Sequence, residues 1–262
     1  MRFETLEQKC NFYRSLTDYR LLPNSHILVM VDGHKFSSVI KKKFKRPFDD
    51  DFIRMMNEVA IYLCENIQGA KFAYVQSDEI SVLITDFDTP ETDSYFGFRL
   101  CKLQSLIASM ATAKFNQLYA IKNINEGMNP EKALTLCTFD CKAWTVPNAN
   151  DAYAWFLYRQ NDCIKNSKSQ TAQSCCSYKE LLRLTADEMI QFALEMRGVK
   201  WEEFSDDKKF GRIIRRVPVQ MEKDIEKKDG TTEHLVFTRQ VWTAEAAPVI
   251  NTDGSLIREL IG

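Results

Sequence analysis

YVQSDEISVLI, residues 74–84, decides how the chain is read. Two apolar runs flank Ser77-Asp78-Glu79, so two strands, Lys71–Gln76 and Ile80–Thr85, joined by a tight acidic turn are expected. Upstream, VMVDGHKF (residues 29–36) belongs to a strand predicted over His26–Asp32, which finishes on a carboxylate followed by glycine. Between the two stretches, Asp50–Ile67 places Phe52, Ile53, Met56, Val59, Ala60 and Leu63 at helical spacing, entered through acidic residues and closed by Gly69. Thr92–Ala120 is expected to form a long helix with Ala108, Ala111 and Ala113 on one side, and Ala133–Phe139 a fourth strand. The order β-α-β-β-α-β is that of the ferredoxin-like split arrangement, an α+β fold. In that topology strand three lies antiparallel between strands one and two. The end of strand one and the acidic turn then share one edge of the sheet, which brings Asp32 and Asp78 together.

Composition sets the limits. The chain has 262 residues, 45% hydrophobic and 27% charged, ordinary values for a soluble globular protein with a sizeable core. A net charge of −1 does not by itself point to nucleic acid, but Lys41-Lys42-Lys43 with Lys45 and Arg46, and Lys208-Lys209 with Arg212, Arg215 and Arg216, are local basic patches. Eight scattered cysteines and an N-terminus with charges throughout fit a reducing, cytoplasmic setting. Cys137 and Cys141 have no histidine nearby, so zinc is not the expected metal. No run approaches the ~20 apolar residues of a membrane helix.

Beyond Asp140, Asn148–Asn166 and Thr185–Arg197 are predicted helices, the second with Thr185 and Glu188 spaced as a capping box. Leu182–Met196 is expected to lie as a layer over the sheet. Ile213–Gln220 and His234–Trp242 alternate around KKDG (227–230) and predict a hairpin. The expected organisation is a catalytic core over 1–145 and a helical and β-hairpin extension over 146–262, integrated as one domain.

The chemistry follows from the acidic edge. A hard divalent cation takes one or two carboxylates and completes its shell with phosphate oxygens and water, and two such ions can clamp a phosphoryl displacement. Asp32 and Asp78 are placed to hold two ions. Gly33 allows close approach and offers its carbonyl, the amides of His34, Lys35, Phe36 and Ser37 could receive a triphosphate, and Lys35, Arg46 and Lys102 could neutralise it. These residues alone leave open nucleotidyl or phosphoryl transfer and a nucleotide cyclase.

VDGHKF, KFKRPFDDDF, YVQSDEISVLI, RLCKLQSLIAS, FDCKAW and YRQNDCIKNS, in this order over residues 25–220, resemble the tRNA-His guanylyltransferase family and its Thg1-like relatives. The resemblance implies a polymerase-type palm run in reverse, adding a nucleotide to the 5′ end of tRNA after activation by ATP or GTP, with Mg²⁺ as the metal. It implies that Asp32, the Gly33 carbonyl and Asp78 hold the metals, with Glu79 beside them. It assigns His34, Lys35, Phe36, Ser37, Arg46, Ser77 and Lys102 to the triphosphate and Asp49 to the purine. Lys142, Arg159, Asp162, Asn166 and Lys209 fall to the tRNA, and a homotetramer is the implied assembly.

Departures bear on specificity. The family's arginine two residues before the first aspartate is Met30, the arginine after Asp-Gly is His34, and the histidine after the phenylalanine is Ser37. Eukaryotic members carry His-Ile-Asn-Asn where this chain has Ile164-Lys165-Asn166-Ser167, a loss the resemblance associates with repair of 5′-truncated tRNAs as much as with tRNA-His. Two other readings stay open: a nucleotide cyclase or other palm-fold phosphotransferase on free NTPs, and a non-catalytic RNA-binding protein.

Overall fold

The computed structural model describes residues 2–129, 131, 136–226 and 232–262. Ala133–Thr135 and the KKDG tip lie outside the described residues, as does the side chain of Lys41. The elements run α1 (Leu6–Ser15), β1 (His26–His34), α2 (Phe36–Lys43), α3 (Asp50–Asn66), β2 (Ala70–Gln76), β3 (Glu79–Ile84), α4 (Leu100–Asn125), β4 (Thr138–Val146), α5 (Ala149–Cys175), α6 (Ala186–Arg197), α7 (Asp206–Lys209), β5 (Arg212–Glu226), β6 (Thr232–Ala246) and α8 (Ser255–Ile261).

The fold is mixed α/β around one six-stranded sheet of order β4-β1-β3-β2-β5-β6. All its adjacent pairs are antiparallel. β3 therefore separates β1 from β2, which run parallel to each other, as the acidic turn requires. Alternation divides the strands cleanly. Ile27, Val29, Val31, Ile80 and Val82 face a core closed by α3 and α4, whereas Leu28, Phe72, Tyr74, Leu83 and Ile213 face one closed by α5 and α8.

Several elements depart from expectation. β1 runs past Asp32 to His34, because β4 pairs with it through Gly33↔Phe139 and His34↔Thr138. Among the described residues the fourth strand is Thr138–Val146, which the expected Ala133–Phe139 meets only at Thr138 and Phe139: FDCKAWTV alternates along β1, and Cys137 is clamped by both ends of the Asn116 amide at 2.8 and 2.9 Å. The long helix starts at Leu100 rather than Thr92. A turn at Tyr95–Phe98 intervenes with Phe96, Gly97 and Phe98 all at positive φ, and it puts Phe98 into the core. α5 continues beyond Asn166 to Cys175. The Thr185–Glu188 capping box is present on α6. That helix does not cover the sheet; Ile190 and Ala193 pack with Ala172 and Cys176 at the far end of α5, forming a third small core with Trp201.

The hairpin continues the main sheet, since β5 pairs with β2 over Arg212–Ile214. Gly211 makes the entry to β5: its φ is +82°, and a Cβ there would lie 2.5 Å from the Tyr74 hydroxyl oxygen. Tyr74 donates from that hydroxyl to the Phe210 carbonyl at 2.8 Å.

Candidate active site

β2 ends at Gln76 and β3 begins at Glu79, so Ser77 and Asp78 make the turn between them, with Ser77 in the left-handed region at φ +45°. The register sets Asp32 opposite Glu79 on β3 and opposite Asp140 on β4. Three acids thus stand side by side on adjacent strands, an arrangement that repels itself unless countered. The Gly33 amide donates to the Asp78 carbonyl at 3.2 Å, which ties the acidic turn to β1. Asp32 and Asp78 meet at one sheet edge, as the topology predicts.

Electrostatics follow from this crowding. Burial, then the Asp32 charge, pushes the Asp78 carboxyl up to about 6. Asp32 is raised by burial and next by Asp140. Glu79 is buried and also raised by that burial, against the pull of Arg159. Arg159 of α5 grips Glu79 with two donors, Nε to Oε1 at 2.7 Å and Nη2 to Oε2 at 2.6 Å, and reaches Asp162 with Nη1 at 3.1 Å. Burial works against the guanidinium, but the two acids outweigh it and keep it charged.

Gly33 is a glycine for want of space. A Cβ there would lie 2.5 Å from the Phe36 ring and 2.9 Å from Asp78 Oδ2. Phe36 cannot retreat, because it is buried among Phe52, Phe115 and Phe139. The Phe36 side chain is therefore core and leaves only its amide for a ligand. Gly33→Ala is expected to introduce strain of about 1–3 kcal/mol and to displace Asp78, weakening Mg²⁺-dependent nucleotide binding by about tenfold or more. Calorimetric titration checks this, and an unchanged affinity would refute it.

A cleft of about 900 Å³ opens beside the carboxylates and reaches along α5 to Arg183 and Met189. Asp32, Ser37, Arg46, Ser77, Asp78 and Asn166 line it with Glu79 and Arg159, so eight of the seventeen expected site residues converge there. His34 and Lys35 are exposed at the entrance to α2, Lys35 turning the chain at φ +57°. Lys142, opposite Met30, shares the sheet face of Asp32 and is exposed. Asp49 caps α3, accepting from the amides of Phe52 at 2.9 Å and Lys45 at 2.8 Å.

Three expected contacts are not brought to the cleft as free groups. Lys102 lies in the first turn of α4, its ammonium over the Phe96 ring, at the end of the sheet where β1 begins; Leu100 there donates to the Tyr19 carbonyl. Lys209 is bound to Asp206 and the Glu202 carbonyl and stacked over Trp201 and Phe210, while its neighbour Lys208 pairs with Asp50. Arg159 lines the cleft, but its donors are committed to Glu79 and Asp162, so it is a clamp and not an open tRNA contact. Asp140 is the acid the sequence reading missed; its only signal is its register opposite Asp32.

Among the described residues no three His, Cys, Asp or Glu side chains form a metal cage. The two raised carboxylates and the Cβ-free approach at Gly33 are an oxygen donor set that suits a hard divalent cation completed by phosphate and water.

The family model for tRNA-His guanylyltransferase matches residues 8–147. A bacterial tRNA(His) guanylyltransferase-like protein in complex with ATP superposes with a TM-score of 0.82 at 29% identity, covering 98% of this chain and 99% of its own. Its complex with GTP gives 0.75. The tRNA(His) guanylyltransferase of Debaryomyces hansenii is 30% identical over 154 residues, 58% of this chain and 54% of the relative. An Arabidopsis thaliana tRNA(His) guanylyltransferase is 29% identical over 60% of this chain but only 26% of its own length. This chain therefore spans from a quarter to about half of those two curated relatives. The conclusion these matches carry, together with the paired aspartates, is that the chain belongs to the tRNA-His guanylyltransferase family.

Proposed function

We propose that this chain adds nucleotides to the 5′ end of a tRNA by phosphoryl transfer on a ferredoxin-like, polymerase-type palm, after activation of that end by ATP or GTP. The observation that carries the reading is the meeting of Asp32 and Asp78 across Gly33, both carboxyls raised by burial, beside a cleft of about 900 Å³. The β4-β1-β3-β2 order supports the palm.

Asp32, the Gly33 carbonyl and Asp78 would hold two Mg²⁺ ions. Bound there, such ions neutralise phosphate charge and activate the attacking hydroxyl. The chain's own groups prepare the rest. The first amides of α2, after the left-handed turn at Lys35, supply donors to a triphosphate. Ser37, Arg46 and Ser77 line the same cleft and meet phosphate oxygens. Arg159 offsets the acidity of Glu79, so the two remaining aspartates are available to cations. Asn166 and exposed Lys142 border the path of the tRNA. Because Ile164-Lys165-Asn166-Ser167 replaces the His-Ile-Asn-Asn run, template-matched repair of truncated 5′ ends is the activity proposed, with tRNA-His guanylylation the narrower case. The family resemblance also carries a tetramer to this chain, measurable by sedimentation equilibrium. No helix among the described residues is long and apolar enough to cross a membrane.

The test uses 5′-monophosphorylated tRNA, full-length and lacking its first nucleotide, with Mg²⁺ and all four NTPs. Template-matched extension of the truncated tRNA by the wild type is the expected result. Absence of extension on both substrates would overturn the reading and favour chemistry on free nucleotides or simple RNA binding.

A further inference from the structure

Of the two basic patches in the sequence, the fold occupies one and leaves the other open. Lys208 pairs with Asp50 at 2.7 Å and Lys209 with Asp206 at 3.0 Å. Arg212 is buried with its Nε on Asn57, Arg215 is bound to Glu245, and Arg216 lies over the Trp242 ring. The patch on α2 is the opposite case. Between Asp32 and Asp49 the chain carries Lys35, Lys41, Lys42, Lys43, Lys45 and Arg46 and not one acid. Lys42, Lys43 and Lys45 are exposed, and among the described residues none of the three side chains has an ion pair or a hydrogen bond. Lys45 acts only on the Asp51 carboxyl, which is held low chiefly by its hydrogen bond from Arg54.

The place of this ridge is set by packing. α2 begins two residues after β1 ends, so it leaves the sheet at the Asp32 edge. Phe36 at its start is buried among Phe52, Phe115 and Phe139, and Phe44 just past its end is buried against Phe52 and Tyr119. Arg46, next along the chain, lines the cleft. The eight residues of α2 span ~12 Å, so the ridge carries positive charge outward from the rim of the cleft. Phe36, Val39 and Phe44 all belong to the core. The outer surface therefore offers no aromatic anchor of the kind on which a protein interface centres, nor an apolar stripe by which a helix enters a membrane. What it offers is hydrated positive charge, which suits a polyanion bound through its phosphates with release of counterions.

We propose that Lys42, Lys43 and Lys45 form a docking ridge for the sugar-phosphate backbone of the tRNA, beside the cleft that receives its 5′ end. The inference rests on the proposed function, because it needs a tRNA whose end enters that cleft. Contacts to phosphate position a nucleic acid without reading its sequence. Such a ridge holds one tRNA as well as another, in keeping with a chain that lacks the His-Ile-Asn-Asn run. The transfer chemistry stays with the aspartates, and the triphosphate with Ser37, Arg46 and Ser77.

The experiment measures binding of two tRNAs of unrelated acceptor-stem sequence to the full chain, from about 50 to 200 mM salt. It compares the wild type with the triple variant Lys42→Gln, Lys43→Gln, Lys45→Gln, whose glutamines keep the helix propensity of lysine. The variant is expected to flatten the dependence of log affinity on log salt by about one per lysine, and to weaken both tRNAs alike by about tenfold or more at low salt. Its affinity for GTP and ATP with Mg²⁺ should stay within about twofold of the wild type, which also shows that it folds. The charge-keeping variant Lys42→Arg, Lys43→Arg, Lys45→Arg should bind both tRNAs as the wild type does. A folded glutamine variant with the wild-type salt slope would overturn the proposal and leave the ridge a solvated surface. Weakening of only one tRNA, or loss of binding in the arginine variant, would overturn it too. A wild type that binds nucleotides but neither tRNA would sink the proposed function, and the docking ridge with it.

Discussion

Asp78→Asn is expected to abolish nucleotide addition while raising the melting temperature of the metal-free protein. The two effects have one cause. The Asp78 carboxyl is pushed from an ordinary value of 3.8 up to about 6, by burial first and by Asp32 second. At neutral pH the native state therefore carries a charge it disfavours by about 2–3 kcal/mol. Asparagine keeps the size of the side chain and removes that charge. The gain should be about 4–8 °C in a domain of this size. Its sign with pH is fixed: the folded state holds the Asp78 proton more tightly than the unfolded chain. The penalty is therefore absent below about pH 4, grows through the interval up to 6, and is complete above it. Thermal denaturation with EDTA at pH 7.5 should show the gain, and at pH 4 the two proteins should melt alike. Saturating Mg²⁺ should raise the wild type and leave Asp78→Asn unmoved, and activity should fall by at least about 10²–10³-fold, the loss typical when one transition-state charge contact is removed. Equal melting at pH 7.5 would contradict the crowding of the two carboxylates.

Arg159→Met should act in the opposite direction. Glu79 is buried and held by two donors from Arg159, so removal of the guanidinium leaves an uncompensated buried charge. Breaking such a pair from one side costs about 3–5 kcal/mol, about 10 °C or more in melting temperature. Replacing both partners, as in Glu79→Met with Arg159→Met, should recover most of the loss, because neither charge is then stranded. An open tRNA-contacting arginine would behave differently. Its loss would leave melting unchanged and reduce the salt dependence of tRNA binding. Denaturation of the two single variants and the double variant, set beside tRNA titrations at several salt concentrations, distinguishes the two roles.

Local chemistry explains what could be read in advance. The strands flanking Ser77 and Asp78, the helix after Asp49 and the capping box at Thr185 are coded by neighbouring residues, and they appear where expected. Asp32 met Asp78 because a topology of few options follows from that order of elements. What was not legible depends on partners distant in the chain. Arg159 and Glu79 are separated by 80 positions, and nothing in the spacing of either shows that one neutralises the other. Asp140 becomes part of the acidic edge only through the register of β4 on β1. Lys209 and Lys102 looked like available cations because a sequence shows the charge but not the ring or carboxylate that occupies it. The bounds of the fourth strand have the same origin: an apolar run ending at Phe139 marked it, whereas its pairing with β1 sets the described strand at Thr138–Val146.

The contact between Gly33 and Phe36 has a consequence for how this chain can vary. Position 33 admits a side chain only if position 36 shrinks, yet Phe36 is wedged among three other rings. A change at 33 alone crowds Asp78, and a change at 36 alone opens a hole beneath the carboxylates. The two positions therefore drift together or not at all, and a library randomised at both should return functional clones almost solely as the glycine–phenylalanine pair.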